Sequence, residues 1–387
     1  MIYFDNSATT CLSEEVKRAM LSAMESYANP SSLHVAGLEA RKLIDKARTS
    51  VASALGLRSV QPGQIIFTSS GTEANNTAIF GTVYAKKRRI SNRIITTDGE
   101  HPSVENALQK LEGDGFDVVR IPTKDGVLDF DAYRDALKTP PILVTMMMVN
   151  NETGAVYDVA RAFDMAKKSC PETVTHCDAV QGFLKCRFTP QSIKADLVTV
   201  SAHKIHGPKG VGVLYIDAQI LKAKKIVPHI LGGGQEFSFR PGTENTVGIA
   251  GFGTAAETES KNFASNVEKM KGLRNYLIRQ LSDLDVILNV SKGESAPHIL
   301  SITLPNIKSE TMLHFLSGKD ICVSSGSACS SRSLKTSHAL TAFGLLPTKA
   351  DCTIRVSLNA HNTKEEADEF IAALKQGIET LVPIKRK

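Results

Sequence analysis

The chain has 387 residues, 42% of them hydrophobic and 22% charged, with a formal net charge of +6. That is the profile of an ordinary soluble globular protein long enough for two domains and a large core. It excludes a disordered or fibrous chain; the basic clusters are short (Lys86-Lys87-Arg88-Arg89, residues 222–225, Lys385-Arg386-Lys387), so no direct nucleic-acid binding is expected, and no apolar run nears membrane-spanning length.

In chain order, the first residues, Met1-Ile2-Tyr3-Phe4-Asp5-Asn6-Ser7, lack the basic-then-apolar pattern of a signal peptide, and a cytoplasmic protein is expected. Apolar, β-rich runs then recur at 64–68, 93–97, 117–121, 142–149, 173–177, 196–201 and 211–216, with helical stretches between many of them. This alternation predicts a large α/β domain with a mostly parallel, seven-stranded sheet. From 245 to 284 the pattern turns helical, as a long connecting helix or a broken helix pair. Short strands follow at 298–304, 321–324 and 354–358, then a helix from 364 to about 381 capped by Thr363. The expected division is a large domain over 16–255 and a smaller α+β domain made of 1–15 and 256–387.

The polar residues worth attention stand where predicted strands end. After 64–68 comes Ser69-Ser70-Gly71-Thr72-Glu73, a small-residue turn opening a helix. Backbone N–H groups at such a helix start bind phosphate, although taken alone an ordinary helix cap explains the turn as well. After 93–97 comes Gly99-Glu100-His101-Pro102-Ser103; a histidine there can stack on a ring and move protons, or be structural. After 142–149 comes Asn150-Asn151-Glu152-Thr153-Gly154, and after the next strand His176-Cys177-Asp178-Ala179-Val180-Gln181. After 196–200 comes Ser201-Ala202-His203-Lys204-Ile205-His206-Gly207-Pro208. A lysine and an aspartate at strand ends match a pyridoxal phosphate site, in which the lysine forms a Schiff base and the aspartate pairs with the ring nitrogen. Parallel sheets bind ligands beyond the carboxyl ends of their strands, so the shared position of these groups counts for more than any one of them.

Two further residues lie in the C-terminal third. Cys329 sits in Ser324-Ser325-Gly326-Ser327-Ala328-Cys329-Ser330-Ser331, a run of small residues suited to a tethered thiol, or to an accidental surface cysteine. Arg355, in Thr353-Ile354-Arg355-Val356-Ser357, has the fork to hold a carboxylate, whether a substrate's or a structural partner's. The seven cysteines are odd in number and scattered, without a CxxC pair, so neither a disulfide framework nor a metal site is expected. Cys177, Cys186 and Cys352 are expected as packing thiols.

Together these segments resemble the cysteine desulfurases, the NifS/IscS-like branch of the class V aminotransferase-fold enzymes. The resemblance runs from Tyr3-Phe4-Asp5-Asn6-Ser7-Ala8-Thr9-Thr10, through Asn29-Pro30-Ser31-Ser32-Leu33-His34 and Arg240-Pro241-Gly242-Thr243-Glu244-Asn245, to the helix after Arg355. It implies the pyridoxal 5'-phosphate-dependent transferase fold of type I. Lys204 would bind the cofactor covalently and act as base, Asp178 would hold the ring nitrogen, and His101 would stack on the ring and serve in acid–base steps. Asn151 and Gln181 would contact the ring's phenolic oxygen, and Gly71, Thr72, Ser201 and His203 would hold the phosphate. Thr243 would reach the cofactor of a second subunit in a homodimer, and Arg355 with Asn151 would bind L-cysteine. Cys329 would take the sulfur as a persulfide, release L-alanine and pass the sulfur to an acceptor protein, an iron–sulfur scaffold or a tRNA-thiolation protein.

Other chemistries use some of the same groups. An aminotransferase or a selenocysteine lyase shares the scaffold but, for the aminotransferase, needs no thiol on a small-residue loop. A hydrolase with Cys329 as nucleophile leaves Lys204 and the turn at Gly71 without a role, as does a non-catalytic sulfur-binding protein.

Overall fold

The computed structural model describes residues 1–85, 91–325 and 337–381. Seven strands form one sheet in the order Ile65–Thr68, Gly212–Ile216, Leu197–Ser201, Val174–Asp178, Leu143–Met147, Arg93–Thr97, Asp117–Ile121. Only Gly212–Ile216 runs against its neighbours; the remaining pairings are parallel. Thr68, Ser201, Asp178, Met147, Thr97 and Ile121 therefore end on one edge of the sheet.

Period-two alternation divides the strand residues between two packed layers. Ile66, Ile94, Leu143, Leu197 and Leu214 pack on one side with Ala74, Ile79, Val104 and Leu108 of the helices Gly71–Val83 and Pro102–Gly113. Phe67, Ile95, Val144, Val198 and Val213 pack on the other, against Ile44, Val51, Phe163 and Phe252 of the helices Val35–Ala54, Val159–Ser169 and Thr246–Lys261. Helix Gly71–Val83 has small or apolar residues almost all round and is buried over most of its length, as a helix crossing the middle of a sheet must be.

A second core joins the two extremities of the described chain. Ile2 and Phe4 pack with Leu273, Leu277, Leu300, Ile302, Val356, Phe370 and Leu374. Its sheet has the order Ile287–Leu288, Ile299–Thr303, Thr353–Ser357, Ser324–Ser325. The sequence suggested one strand over 321–324. The chain instead changes partner at Val323: Ile321–Cys322 pairs in parallel with Ile2–Tyr3, and Ser324–Ser325 pairs antiparallel with Thr353–Ser357. The long helical stretch breaks at Asn262, which ends Thr246–Lys261 and precedes Phe263–Leu281. The last helix, Lys364–Thr380, carries a full capping box between Thr363 and Glu366.

The segment that carries Thr243 is pinned by a buried ion pair. Arg48 donates to both oxygens of Glu236, at 2.8 and 2.7 Å, and to the carbonyl of Ile65 at 2.5 Å. Glu236 Oε2 also accepts from the amide of Phe67 at 2.8 Å. Glu236, Phe237 and Ser238 have φ of 44°, 57° and 63°, a left-handed run that non-glycine residues rarely adopt unless the surroundings impose it.

Candidate active site

The site grows from the shared edge of the sheet. Asp178 is the last residue of its strand, and Lys204 closes the single turn Ala202–Lys204 that follows Leu197–Ser201. His101 is the cap of helix Pro102–Gly113, with its Nδ1 accepting from the amide of Ser103 at 3.1 Å. Ser70 caps the helix that Gly71 begins. Six-strand polarity thus brings residues 71, 101, 178 and 204, far apart in sequence, to one rim.

Asp178 is buried, and hydrogen bonds hold its carboxylate in place. Asn75 Nδ2 donates to its Oδ2 at 2.7 Å, and the amide of Val180 donates to its Oδ1 at 3.0 Å. Asn75 Nδ2 also donates to Ser103 Oγ at 2.9 Å, and Ser103 Oγ lies 2.8 Å from His101 Nδ1. The imidazole of His101 is held below its ordinary pKa, first by burial, against the opposing pull of Asp178 and with the help of Lys204's positive charge. Asp178 and Lys204 both act electrostatically on this ring, and the hydrogen bonds through Asn75 and Ser103 link Asp178 to it.

Gly71 and Ser201 form a cradle beside them. A Cβ at Gly71 would come within 3.0 Å of Val180 Cγ2 and 3.7 Å of Ser201 Cβ. A Cβ at Gly212 would meet the backbone of Ser70 at 2.5 Å, so the incoming strand can pass the helix start only as glycine. Ser201 Oγ is buried without a hydrogen-bond partner. A hydroxyl left over beside the amides of a helix N-terminus is a place for an anion. Thr72 is exposed at that helix start.

The N-terminal segment, whose contribution the sequence did not reveal, roofs this rim. Lys204 Nζ donates to the carbonyls of Ser7 and Ala8, at 2.5 and 2.8 Å. Gln181 Nε2 donates to Ser7 O at 2.9 Å, and its Oε1 lies 3.4 Å from His298 Nε2. Thr10 reaches the carbonyl of His203 through both its amide, at 2.9 Å, and its hydroxyl, at 3.0 Å. His203 Nδ1 is 3.3 Å from Thr9 Oγ1; burial, then Lys204, push its imidazole down to about 4, so it is neutral at physiological pH.

Arg355 enters from the second core. It is buried and donates through Nη1 to the carbonyl of Asn151 and through Nη2 to Asp5 Oδ1, both at 2.9 Å. Asp5 Oδ1 also accepts from Ser324 Oγ at 2.7 Å. Of the asparagine pair, Asn150 is committed to the turn: it donates to Gly99 O and accepts from the amides of Glu152 and Thr153. Asn151 is only half-buried, with its carbonyl on Arg355. Thr243 stands exposed, in a loop that Arg240 ties to Glu73 at 3.1 Å. Cys329 lies outside the described residues. Ser324, near the start of its run, is bound to Asp5, and Ser337, just beyond it, donates to Glu152 at 2.5 Å.

Glu100, beside His101, is a missed member of this framework. Its Oε1 accepts from Thr97 Oγ1 at 2.6 Å and from the amide of Met147 at 2.9 Å, stitching the strand ends together. Its Oε2 is buried without a partner, and burial raises its pKa to about 8. A carboxyl whose pKa is raised in the folded state binds its proton more tightly there. Its contribution to stability is complete below its unfolded pKa and is lost as pH climbs through about 8. In thermal melts from pH 5 to 9, Glu100→Gln is therefore expected to flatten the alkaline decline of the wild type. Parallel curves for the two proteins would refute this assignment.

Three other cysteines, Cys177, Cys186 and Cys352, are poor nucleophiles. Burial pushes the thiol of Cys177 well up, that of Cys186 to about 11, and that of Cys352 upward too. A cavity of about 840 Å³ lined by Met148, Lys185, Cys186, Phe263 and Lys271 lies outside the strand-end cluster.

A lysine, a buried aspartate and a histidine at the carboxyl edge of this sheet, beside an anion cradle, define the chain as a type I pyridoxal phosphate-dependent transferase fold. A family model for class-V aminotransferases matches residues 2–370. Cysteine desulfurase IscS of Dictyoglomus turgidum is 37% identical over 393 residues, covering 100% of this chain and 97% of that protein. Among solved structures, a NifS-like protein superposes with a TM-score of 0.90 at 35% identity, covering 98% of this chain and all of that one. SspA in complex with cysteine superposes with a TM-score of 0.79 at 31% identity, covering 94% of this chain and all of that one. The chain belongs to the class-V aminotransferase family, in its cysteine desulfurase branch.

Proposed function

We propose that this chain takes sulfur from L-cysteine with pyridoxal 5'-phosphate as cofactor, releasing L-alanine and leaving a persulfide on Cys329 for an acceptor protein. The observation that carries the reading is the placing of Lys204, Asp178 and His101 at one sheet edge, where Asn151, which follows the strand Leu143–Met147, is bonded through its carbonyl to Arg355. The cofactor's fit is supported by the orphaned Ser201 hydroxyl and by the cradle at Gly71, which suit a phosphate, and by a buried carboxylate that suits a protonated ring nitrogen.

When bound, the cofactor supplies an electron sink for the bonds around the substrate's Cα. The protein's part follows from its own groups. Asp178, fixed by Asn75 and the Val180 amide, would hold the cofactor's ring nitrogen and supply the negative charge that favours a proton there. Arg355 receives the substrate carboxylate, steadied by the Asn151 carbonyl and Asp5. Lys204 takes the Cα proton at Nζ once it leaves the carbonyls of Ser7 and Ala8. His101, neutral and ringed by protein, covers the site and exchanges a proton through Nε2. Gln181 and His203 act as supports that fix the roof to the rim, and the exposed Thr72 adds a hydroxyl to the phosphate cradle.

We place this site in a homodimer. Tyr27, Leu33 and Leu231 are 91%, 91% and 85% exposed, apolar surface of the kind a second copy covers, and Thr243, in the segment that follows Leu231, is exposed as well. No helix among the described residues is long and apolar enough to cross a membrane. The test is direct. Purified protein incubated with the cofactor will absorb in the visible, change on adding L-cysteine, and release alanine and, with a thiol reductant, sulfide in equal amounts. A protein that cannot be made to absorb, or alanine without sulfide, would overturn the reading.

A further inference from the structure

The network behind His101 has a direction that can be worked out bond by bond. Asp178 as a carboxylate only accepts, so the side of Asn75 that faces it must be the amide nitrogen. That nitrogen has two hydrogens, and its second goes to Ser103 Oγ at 2.9 Å. Ser103 Oγ therefore accepts from Asn75, and its own hydrogen is left for His101 Nδ1 at 2.8 Å. The amide of Ser103 points to the same nitrogen, at 3.1 Å. His101 Nδ1 thus receives two donors and has no room for a proton of its own. Asn75 and Ser103 are 1% and 8% exposed, so water does not offer either an easy alternative.

We infer that Asn75 and Ser103 are positioning residues for catalysis: they transmit the orientation of Asp178 to His101 and fix its imidazole as the tautomer protonated at Nε2. This rests on the desulfurase reading only for its benefit to the reaction, since the tautomer itself is a property of the folded chain. The consequence is a division of labour. His101 presents an N–H donor toward the site, and becoming a cation requires a proton at Nδ1 that would face the Ser103 hydroxyl and amide. The charged groups acting on the ring are Asp178, from the strand Val174–Asp178, which favours the cation, and Lys204, from the turn after Leu197–Ser201, which opposes it. Burial adds to the opposition, and the two Ser103 donors work in the same direction. The sequence hint lies in spacing. Asn75 is one helical turn beyond Gly71, on the same helix face, and Ser103 stands two residues past the capping histidine.

The experiment uses full-length protein labelled with ¹⁵N-histidine, with and without cofactor, and His101→Asn to assign the signal. Long-range ¹H–¹⁵N spectra report which ring nitrogen carries the proton and at what pH the second arrives. Wild type is expected as the Nε2–H tautomer. Ser103→Ala removes one donor without adding bulk, and should raise the imidazolium fraction at a given pH about tenfold, the worth of roughly one hydrogen bond. Asn75→Ala frees the Ser103 hydroxyl to turn round and accept from Nδ1, so it should move the ring in the same direction. The double variant should match the single ones rather than sum them, and Ser103→Thr should restore the wild-type state. In turnover, Ser103→Ala should lower kcat and move the acid limb of its pH profile upward, with KM for cysteine little changed. An Nδ1–H tautomer in the wild type, or additive effects of the two variants on the ring, would overturn the inference. Should Asn75→Ala fail to fold, the wild-type spectrum and the Ser103 pair still decide it. A protein that neither colours with cofactor nor releases sulfide yet shows the Nε2–H ring and its response to Ser103→Ala would remove the desulfurase reading and leave the tautomer standing.

Discussion

Lys204→Ala will reduce alanine release from L-cysteine by on the order of 10³-fold or more, with the fold intact. In the protein framework the side chain donates to two backbone carbonyls of the N-terminal segment, Ser7 O and Ala8 O. Losing those bonds costs about 1–2 kcal/mol, too little to unfold a chain with cores of this size. The chemistry suffers far more, because the other buried lysine amine, that of Lys185, is held in the interior without a hydrogen-bond partner and does not share the contacts of Lys204. Lys204→Arg is the sharper control. It keeps the positive charge that acts on His101 and can still bond the two carbonyls, but a guanidinium does not give up its proton near neutral pH. It should be as inactive as the alanine variant. Retention of a tenth of wild-type turnover by either would contradict the role of Lys204 as base. The measurements are alanine formation by amino-acid analysis and a thermal melt on the same samples.

The second large effect concerns the sulfur itself. Cys329→Ala is expected to bind cofactor and change its spectrum with L-cysteine, yet release less than about a hundredth of the wild-type alanine and sulfide, the scale lost with an activated nucleophile. The atoms demand this. In the proposed step the carbon–sulfur bond of cysteine breaks, a sulfur–sulfur bond forms to Cys329, and the two thiol hydrogens and the former β-carbon hydrogens are all retained in alanine and the persulfide. The β-carbon is reduced while the sulfur is oxidised, so no outside oxidant is needed, but an acceptor thiol is. Cys186 cannot stand in: with a thiol at about 11, only about one molecule in 10⁴ is thiolate at pH 7, and Cys177 is buried outright. Cys186→Ser and Cys177→Ala should therefore keep nearly full turnover. Full activity in Cys329→Ala, or its loss in Cys186→Ser, would break the assignment. Mass spectrometry of the wild type after a single turnover should find one added sulfur atom on the peptide containing Cys329.

Much of the fold was legible because the large sheet obeys simple rules. Its strands are short apolar runs with turn residues after them, and in a parallel sheet those turns fall on one edge. That is why Gly71, His101, Asp178 and Lys204 could be grouped before any coordinates. The second core was harder. Its strands are two to five residues long, and the exchange of partners at Val323 has no local signature, since Ile321–Cys322 and Ser324–Ser325 look like one run. The break at Asn262 was open for the same reason: it depends on where the helix must turn to leave one core for the other. At the site, the groups that react are marked by their chemistry, while the groups that hold them are not. Asn75 looks like any helix asparagine until Asp178 is placed against it, and the carbonyls of Ser7 and Ala8 carry no side-chain signal at all. Pairing Asp5 with Arg355 needs knowledge of a contact across 350 residues.

That last separation bears on how the enzyme comes into being. During synthesis the sheet can assemble once the residues up to Ile216 have left the ribosome, and residues 7–10 can then bond to Gln181, His203 and Lys204, but the carboxylate of Asp5 meets its partners only as Ser324 and the strand Thr353–Ser357 emerge. A nascent or prematurely terminated polypeptide thus owns the Lys204 amine without Arg355 and without the bond that anchors the leading end of the roof. Competence therefore arrives late, with the last strand of the second core, and a copy truncated before Thr353 is expected to be inactive.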